Sequence, residues 1–539
     1  MSKPSNNFRY IVHRCVGLFA VVSVHCSFSQ LLASEQTGDE PSNVLMIVVD
    51  DLSDFVTRDG SAIRAKTPNL DRLRSMGVDF SDAHANSPIC GPSRASFLYG
   101  YLPSTIGYYG YMQNRRAQNR EYPLFQTSRN LMQRFRDAGY LVAGTGKIDH
   151  HTYSEDWDEG YWGVYPDYGP LPAKEGELVP RAHPNLPAPL NQKLFNGFGR
   201  LSDFPVFDGE RGQWIAHPFA GKEAFPKPYT YNSSDDRDLM PDELSADWVE
   251  DFLQNSYETP FFLALGFVRP HAPHYLPDNY FDAYESISAA VPEPNYPLSV
   301  PAIARSALTP DDWGPDTYKN LTQTAEGSVL PSWIGAYLGS TTFMDDQLGV
   351  VLDALESSAY ADNTIIVLFS DHGYHLGSHE RVFKNSLWQE GTKVPLIIAG
   401  PEIPSGARSE RLVSLVDVYP TLVELCGLPA ERLSGERELD GRSLMPNVIL
   451  PNDWGSVSPL AVFSAGTEEL DRIEKGMLED QHIALIDSKW RYIRYSDGTE
   501  ELWSRNASMS ELPVVIGPGL DAVTVLEPFR KYYRSLQER

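Results

Sequence analysis

The sequence is poor in cysteine and in basic residues, and it has no long apolar run. Its four cysteines among 539 residues exclude a disulfide-dense scaffold. Lysine and arginine number 45 against 72 acidic residues, which gives a formal net charge of -27. The chain therefore has no basic surplus with which to neutralise phosphates, and we expect no nucleic-acid partner. An anionic substrate would need a few cations focused in one pocket.

The N-terminus has the features of a secretory signal peptide. Its apolar segment, residues 16–28, is too short to span a bilayer well. Lys3, Arg9 and Arg14 precede this segment, and an acceptable cleavage site follows it. We predict a signal peptide at residues 1–34, a periplasmic or secreted protein, and no transmembrane anchor. Cys26 leaves a lipoprotein as the less favoured alternative.

Length and composition predict a large α/β domain and a smaller one. Hydrophobic residues make up 42% and aromatic residues 12% of the chain, enough for a full core. The texture of the sequence changes near residue 430, after which strands that alternate in polarity are predicted at 482–486 and 489–495. We therefore place a catalytic domain at 41–428 and a C-terminal subdomain with an antiparallel sheet at 429–539. The subdomain ends in a helix over 527–536, with Pro528 in its first turn.

Polar residues follow several apolar, β-rich segments of the main domain. Such segments are typical of strands buried on both faces of a mostly parallel sheet, and in open α/β sheets ligands bind at the carboxyl ends of the strands. We therefore expect the polar residues to lie close together. The predicted strands are 43–49, 140–144, 261–268 and 363–369, and helices are predicted from Thr67, over 130–138 and over 341–355. The segments 394–399 and 415–425 close the main domain.

Cys90 has unusual neighbours for a core thiol, because Gly91-Pro92-Ser93-Arg94 follows it. Proline suits the first turn of a helix, where backbone N–H groups and the dipole favour an anion. The pattern favours a nucleophile beside an oxyanion site, although an ordinary cysteine before a helix is about equally frequent for so short a motif. Cys426 lies at an apolar helix end, which favours a buried inert thiol over a disulfide with Cys90.

The pattern Cys-x-Pro-Ser-Arg at 90–94, followed by Leu98-x-Gly100, resembles the signature of the type I sulfatases. The resemblance spans most of residues 43–425 and favours the branch similar to iduronate-2-sulfatase. It implies an alkaline-phosphatase-like α/β fold. It also implies that a formylglycine-generating or maturase enzyme converts Cys90 to formylglycine, whose hydrate is the nucleophile. Tyr99 departs from the pattern, since the family usually has threonine there.

Asp50 and Asp51 predict a cation site at the end of the first strand. Adjacent buried carboxylates repel each other and lose hydration, and a bound cation is the simplest explanation. A turn with one helix-capping aspartate is the alternative. Oxygen donors without a cysteine cluster favour Ca²⁺ or Mg²⁺ over Zn²⁺. The resemblance implies one calcium ion held by Asp50, Asp51, Cys90 as formylglycine, Asp371 and His372.

The resemblance also implies a set of catalytic residues: Cys90, Arg94, Lys147, His150, His271 and Lys384. Arg94 and Lys147 would hold the formylglycine diol, and His150 would assist the collapse of the sulfated intermediate. His271 and Lys384 would bind the sulfate, and His271 would protonate the leaving group. The adjacent His151 leaves the register of His150 open by one residue. Glu380 stands where the family usually has glycine.

These features predict a secreted sulfatase that acts on a sulfated sugar or polysaccharide. The substrate would be a glycosaminoglycan or an algal glycan, including a 2-O-sulfated uronic acid. Loops 152–235 and 276–330 would select it, and Arg269, His274 and His375 are candidate substrate contacts. One alternative is a phosphonate or phosphate ester hydrolase of the same superfold. Another is an inactive binder of sulfated glycan, since fold alone does not fix function.

Overall fold

An eight-stranded mixed sheet forms the centre of the molecule. Its strands are β1 (Asn43–Val49), β2 (Gly77–His84), β3 (Leu141–Gly146), β4 (Phe261–Phe267), β5 (Thr364–Ser370), β6 (Lys393–Val394), β7 (Leu396–Ala399) and β8 (Ala407–Ser414). They lie in the order β6-β2-β7-β5-β1-β4-β3, and β8 pairs with β2. The strands β1, β3, β4 and β5 are mutually parallel, so their carboxyl ends meet at one edge.

The computed structural model describes most of the chain after the predicted signal peptide, which itself lies outside the described residues. The described part is 41–538 without positions 62, 152, 172, 205, 212 and 286 and without 111–121, 165–166, 175–176, 179–189, 191–195, 208–209, 215–226, 288–312, 325–326, 430–435, 452–458, 465–477, 506–510 and 515–521. Within it, no helix has the length and hydropathy needed to cross a membrane.

Helices cover both faces of the sheet. The longer ones are α1 (Pro68–Met76), α2 (Cys90–Tyr99), α3 (Leu131–Asp137), α4 (Pro241–Leu253), α5 (Trp313–Thr322), α6 (Leu330–Ser357), α7 (Val418–Leu425) and α8 (Ala522–Gln537). Alternate residues of β1 face opposite layers: Ile47 packs with α1, α4 and α6, whereas Met46 packs with α2, α3 and α7. Because both faces are covered, every residue of β1 is buried and all but the first are apolar.

Shorter elements decorate this framework. Short helices are Pro103–Ile106, Leu124–Thr127, Asp278–Asp282, Gln389–Thr392 and Met445–Ile449. Short strand pairs are Ala173–Lys174 with Glu177–Leu178, Phe198–Arg200 with His274–Leu276, Val206–Phe207 with Glu210–Arg211, Gln213–Trp214 with Lys227–Pro228, and His375–Leu376 with Val382–Phe383.

A second, antiparallel sheet follows in the C-terminal part. Its strands, in spatial order, are β9 (Leu460–Ser464), β10 (His482–Ile486), β11 (Trp490–Arg494), β12 (Glu500–Arg505) and β13 (Glu511–Val514). The ring of Phe529 on α8 stacks on Tyr492 of β11, with 5.5 Å between centroids. The antiparallel sheet was predicted from the sequence, whereas the boundary between residues 428 and 429 stays a prediction.

The sequence predicted the apolar strands well and misjudged several other features, among them the predicted loop 276–330, which contains α5. The helix α6 begins at Leu330 rather than at 341, since Pro331 lies in its first turn and does not interrupt it. Pro528 lies inside α8, not in the first turn of a later helix. The strand β2 was not predicted, because Asp79 and Asp82 interrupt its apolar pattern. Both are buried and ion-paired, with Arg58 and Arg505 respectively.

Candidate active site

Backbone hydrogen bonds fix the polar residues that follow the central strands. The N–H of Asp50 donates to the carbonyl of Phe267 (3.1 Å), and the N–H of Asp371 donates to that of Val49 (3.1 Å). The N–H of Lys147 donates to the carbonyl of Gly266 (2.8 Å). A β-carbon on Gly266 would lie 2.1 Å from the Lys147 backbone, so only glycine fits there. The strand ends therefore hold these groups at one edge of the sheet, as predicted.

Cys90 is the first residue of α2, and its thiol faces this edge. The residue before it, Ile89, has an extended backbone, and Cys90 is only 4% exposed. Its Sγ lies 3.2 Å from Nε2 of His372 and 3.6 Å from Oδ1 of Asp50. The Lys384 ammonium donates to Sγ at 3.0 Å. The predicted position at a helix N-terminus is confirmed.

The two cysteines that the structure describes, Cys90 and Cys426, form no disulfide. Burial raises the pKa of the Cys426 thiol to about 12. Cys426 lies just after α7 and contacts the apolar core around it. The prediction of an inert thiol at an apolar helix end therefore agrees with the structure, although Cys426 is half-buried rather than fully buried.

Arg94 links three strand ends from one buried position. Its Nε donates to Oδ2 of Asp371 at 3.0 Å, and its Nη2 donates to Oδ1 of Asp50 at 3.3 Å. Its Nη1 donates to the carbonyls of Lys147 and Ile148. The guanidinium is fully buried, so its charge acts on these groups with little screening by solvent.

Two lysines contact the aspartate pair. The Lys147 ammonium donates to Oδ2 of Asp50, and the Lys384 ammonium donates to Oδ1 of Asp51 at 2.6 Å. Burial alone would raise the pKa of Asp50, but the Lys147 ammonium and other cations outweigh it and hold that pKa well below its usual range. Burial raises the pKa of Asp51, although Lys384 opposes the shift. The two neighbouring carboxylates therefore differ in their tendency to hold a proton.

His271 lies beside the aspartate pair with a defined tautomer. Its Nδ1 is 2.6 Å from the carbonyl oxygen of Ala272, which can only accept, so Nδ1 carries the hydrogen. Its Nε2 is 3.7 Å from Oδ2 of Asp51. Burial, reinforced by the Lys384 ammonium, holds the pKa of His271 well below its usual range. Nε2 is then an acceptor, and His271 must gain a proton there before it can act as an acid.

Four of the five predicted metal ligands form a compact donor set. Asp50, Asp51, Cys90 and His372 each offer one ligand atom, and these atoms all lie within 4.8 Å of one another. Nδ1 of His372 is 2.9 Å from the Gly373 carbonyl, so it carries the hydrogen and leaves Nε2 facing the donor set. Carboxylate oxygens with one imidazole suit a divalent cation.

Asp371, the fifth predicted ligand, is not part of this donor set and accepts backbone hydrogen bonds. Its Oδ1 accepts from the backbone N–H groups of Asp51 (3.2 Å) and His372 (3.0 Å). Its Oδ2 lies 3.6 Å from Nε2 of His372. Burial opposes protonation of His372, but Asp371 and Cys90 outweigh it and raise the pKa of His372 to about 9. Metal binding would therefore release a proton from His372.

Comparison with known proteins identifies the family. The sequence model of the Sulfatase family matches residues 42–428. The chain belongs to the sulfatase family. A sulfatase from Formosa agariphila is 32% identical over 505 residues, which cover 92% of this chain and 86% of that one. Iduronate 2-sulfatase from Mus musculus is 27% identical and covers 75% of this chain and 72% of its own.

Solved structures show the same fold. BT4656 in complex with its substrate D-glucosamine-2-N,6-O-disulfate aligns with a TM-score of 0.64 and 17% identity, over 93% of this chain and 98% of that one. A phosphonate monoester hydrolase from Agrobacterium radiobacter aligns with a TM-score of 0.62 and 20% identity, over 92% of this chain and 95% of that one. The predicted alkaline-phosphatase-like sulfatase fold is confirmed. The protein is a sulfuric ester hydrolase, and its family implies a metal ion and a formylglycine.

His150, the remaining predicted catalytic residue, is half-buried in the bend after β3. Its N–H donates to the Asp149 carboxylate at 2.7 Å, and its ring lies edge-on to that of His151 with 5.0 Å between centroids. Both histidines thus lie at the same bend, and the choice between them stays a prediction.

Three candidate substrate contacts are buried instead. Arg269 is 2% exposed, and His274 and His375 are fully buried. His274 packs edge-on against the Trp333 ring, and His375 contacts the hydroxyls of Ser378 and Ser386. None of the three lies at the surface, and their role as substrate contacts stays a prediction.

Sequence reasoning missed Tyr168, which contacts a predicted catalytic residue. Tyr168 is buried, and its hydroxyl oxygen accepts from the Lys147 ammonium at 2.6 Å. It comes from the loop after β3, which the sequence predicted only as a source of selectivity. No local pattern distinguishes Tyr168 from the other tyrosines of that loop, so only the fold could reveal it.

Proposed function

We propose that this sulfatase hydrolyses sulfate esters of a sulfated sugar or polysaccharide, with formylglycine at position 90 and a bound calcium ion. The observation that carries the proposal is the convergence of strand-end groups on the Cys90 thiol. A lysine ammonium and an imidazole lie within 3.2 Å of Sγ, and a carboxylate lies at 3.6 Å. A buried environment with several charged groups is typical of a reactive side chain, whereas an ordinary core thiol has apolar neighbours.

Substrate class is proposed from the relatives. The chain resembles iduronate 2-sulfatase, and its fold matches a structure bound to D-glucosamine-2-N,6-O-disulfate and one described as a 2-O GAG sulfatase. These proteins support a glycosaminoglycan, including one with a 2-O-sulfated uronic acid, as the substrate, and an algal glycan stays the alternative. The predicted signal peptide supports action outside the cytoplasm, and the motif at 90–94 supports maturation by a formylglycine-generating or maturase enzyme.

The side chains at the site would hold the cation. Asp50, Asp51, His372 and the side chain at 90 supply donors, with Asp371 as the fifth predicted ligand. The charged groups comprise three carboxylates, Asp50, Asp51 and Asp371, and three permanent cations, Arg94, Lys147 and Lys384. They balance, so a divalent cation would give the site the positive charge that an anionic sulfate ester requires. When bound, it would polarise a sulfate oxygen and favour ionisation of the nucleophile.

The remaining residues orient the reactants and move protons. Arg94 and Lys147 both donate to Asp50 at the carboxyl ends of the strands. From there they would also hold the hydrated aldehyde at position 90. Lys384, which already contacts Sγ, would bind the sulfate group. His271 would donate a proton from Nε2 to the departing alcohol, because the nearby anionic ester favours its charged form. His150 would assist release of the sulfate.

Formylglycine is tested by the mass of the tryptic peptide that contains Cys90, isolated from the native host. We expect a mass lower than that of the unmodified peptide by the difference between thiol and aldehyde, together with its hydrate. An unmodified thiol in protein from that host would overturn the proposed nucleophile and favour the glycan-binding alternative.

Calcium is tested by chelation. We expect turnover to be lost after dialysis against a chelator and to return with Ca²⁺ more fully than with Mg²⁺, because Ca²⁺ accepts a wider range of coordination geometries than Mg²⁺. Turnover that is indifferent to the chelator would remove the metal from the proposal.

A second candidate is hydrolysis of phosphonate or phosphate esters. A multifunctional alkaline phosphatase superfamily protein from Trinickia caryophylli is 28% identical and covers 76% of this chain, and the phosphonate hydrolase fold matches as well. We expect kcat/KM for sulfate esters to exceed that for phosphonate esters. The reverse order would make this second candidate the main activity.

A further inference from the structure

Tyr168 lies between two residues to which the proposed function gives separate tasks. Its hydroxyl oxygen accepts a hydrogen bond from Nζ of Lys147 at 2.6 Å. Its ring lies against the ring of His271, with 4.6 Å between centroids and an angle of 48° between planes. Tyr168 is only 4% exposed, so both contacts are shielded from water. One side chain thus touches the lysine beside the nucleophile and the histidine beside the leaving group.

Arg269 holds the backbone on both sides of this contact. Its Nη2 donates to the Tyr168 carbonyl at 3.1 Å, and its Nη1 donates to the His271 carbonyl at 3.2 Å. Its own backbone N–H donates to Oδ2 of Asp242 at 2.8 Å. The guanidinium thus connects the loop after β3 with the segment after β4.

The guanidinium of Arg269 has an unusual environment for a buried charge. Within the described residues, no carboxylate lies within ion-pair distance of it, although the charges of Asp242 and Asp167 favour its ionised form, and its Nε is buried without a hydrogen-bond partner. Burying a charge in this way is unfavourable, so a purely structural role is a poor explanation. A role in fixing two backbone carbonyls at the site accounts for both the burial and the geometry.

We propose that Tyr168, fixed by Arg269, is a positioning residue for sulfate ester hydrolysis. It holds the Lys147 ammonium in place against Asp50 and limits rotation of the His271 ring. This role of Tyr168 rests on the proposed function, in which Lys147 holds the nucleophile and His271 protonates the leaving group. Its physical basis is that a small displacement of a catalytic group lowers the rate even where the group itself is intact.

The two contacts of Tyr168 can be removed separately. Tyr168→Phe keeps the ring beside His271 and removes the oxygen that accepts from Lys147. We expect kcat to fall about 10- to 100-fold with KM nearly unchanged, the range for loss of a hydrogen bond to a charged group. Tyr168→Ala removes the ring as well, so we expect a further fall in kcat together with a rise in KM for a sulfated sugar substrate.

Tyr140→Phe is the matched control. Tyr140 is also a buried tyrosine, whose hydroxyl donates to the carbonyl of Ser42 at 3.1 Å and contacts the Cys426 thiol, and it precedes β3, at the opposite end of that strand from Lys147. We expect its melting temperature to fall about as much as that of Tyr168→Phe while kcat and KM stay at the wild-type values. Wild-type kcat in a folded Tyr168→Phe would overturn the proposal.

Arg269→Lys tests the connection between the two residues. One ammonium cannot donate to both carbonyls in the geometry of the guanidinium, so we expect kcat to fall about tenfold. Combined with Tyr168→Phe, the losses should be less than multiplicative, because both variants release the same tyrosine. Fully multiplicative losses would show that Arg269 does not act through Tyr168.

Lys147→Ala distinguishes this proposal from the one on which it rests. Near wild-type turnover in Lys147→Ala would remove the proposed role of the lysine itself. Loss of turnover in Lys147→Ala, together with wild-type kcat in Tyr168→Phe, would leave the proposed function standing and overturn only the positioning role of Tyr168.

Discussion

Two clusters of buried charge lie near the end of β1 and differ in their balance of charge. The active-site cluster consists of Asp50, Asp51, Arg94, Lys147, Asp371, His372 and Lys384. The Asp54 cluster consists of Asp54, Arg58, Arg74, Asp79 and Lys393. The Asp54 cluster has three cations for two carboxylates, whereas the active-site cluster has three permanent cations for three carboxylates.

The difference shows in the pKa values of the carboxyl groups. Burial would raise the pKa of Asp54, but Arg58 (2.7 Å) and Lys393 (3.4 Å) outweigh it and lower that pKa. The pKa of Asp51 is raised even though Lys384 contacts it. The Asp54 cluster therefore keeps the Asp54 carboxylate ionised without a further cation, while a further cation in the active-site cluster would stabilise the Asp51 carboxylate. Buried charge is thus common to both clusters, and the local balance between carboxylates and cations distinguishes the active site.

The sharpest test of this comparison removes the centre of the active-site cluster. We expect Cys90→Ala to lower kcat by about 10⁴-fold or more, because the nucleophile is lost, while the melting temperature stays close to that of the wild type. Turnover of a sulfated sugar and thermal unfolding are the measurements. Full retained activity would remove Cys90 from the mechanism.

The opposite pattern is expected in the Asp54 cluster. Arg58→Met leaves Asp54 and Asp79 without their shared partner, and we expect the free energy of unfolding to fall by about 3 kcal/mol with kcat unchanged. The control is Arg64→Met, whose ion pairs are more exposed and should contribute about 1 kcal/mol or less. Denaturant unfolding of both variants checks the difference, and equal effects would contradict the distinction between the clusters.

Sequence reasoning reached the strands and motifs of this arrangement but not its cross-loop contacts. The strands β1, β4 and β5 were predictable because each is a continuous apolar run, buried on both faces. The Asp54 cluster was missed because its charges lie on separate elements, including β2. The contact of Lys147 with Tyr168 joins residues of different segments, and nothing in either segment specifies the other. Pairings of this kind depend on the path of the folded backbone.

Asp167 is a buried carboxyl outside both clusters, and it shows how burial shifts a pKa where few cations are near. Burial raises its pKa to about 7, although the Gly169 N–H and Arg269 oppose the shift. Between about pH 4 and pH 7 the native state therefore binds more protons than the unfolded chain, and stability falls as pH rises. Asp167→Asn does not titrate, so we expect it to gain stability relative to the wild type as the pH rises. Between pH 4 and pH 8 the difference in free energy of unfolding, variant minus wild type, should increase by on the order of 3 kcal/mol. Thermal unfolding across this range is the measurement, and a difference that does not change with pH would contradict it.

The smallest effect is expected in the loop that carries Lys384. Glu380 is exposed and has φ of 47°, a left-handed conformation that suits glycine. We expect Glu380→Gly to raise the free energy of unfolding by about 0.5 kcal/mol, the relief of strain exceeding the added entropy of the unfolded chain. With kcat unchanged, this would explain why the family usually has glycine there. A loss of stability would show that the Glu380 side chain makes a compensating contact.

The order of the strands also sets how far each side chain must extend. β3 and β1 are separated by β4, so the backbones that carry Lys147 and Asp50 are about 10 Å apart. Aspartate at the central strand is short, and lysine at the outer strand is long enough to meet it. Position in the sheet thus decides which side-chain length is needed. Exchanging Asp50 and Lys147 would keep the composition and charge of the site, yet position 50 would no longer supply a carboxylate to the donor set.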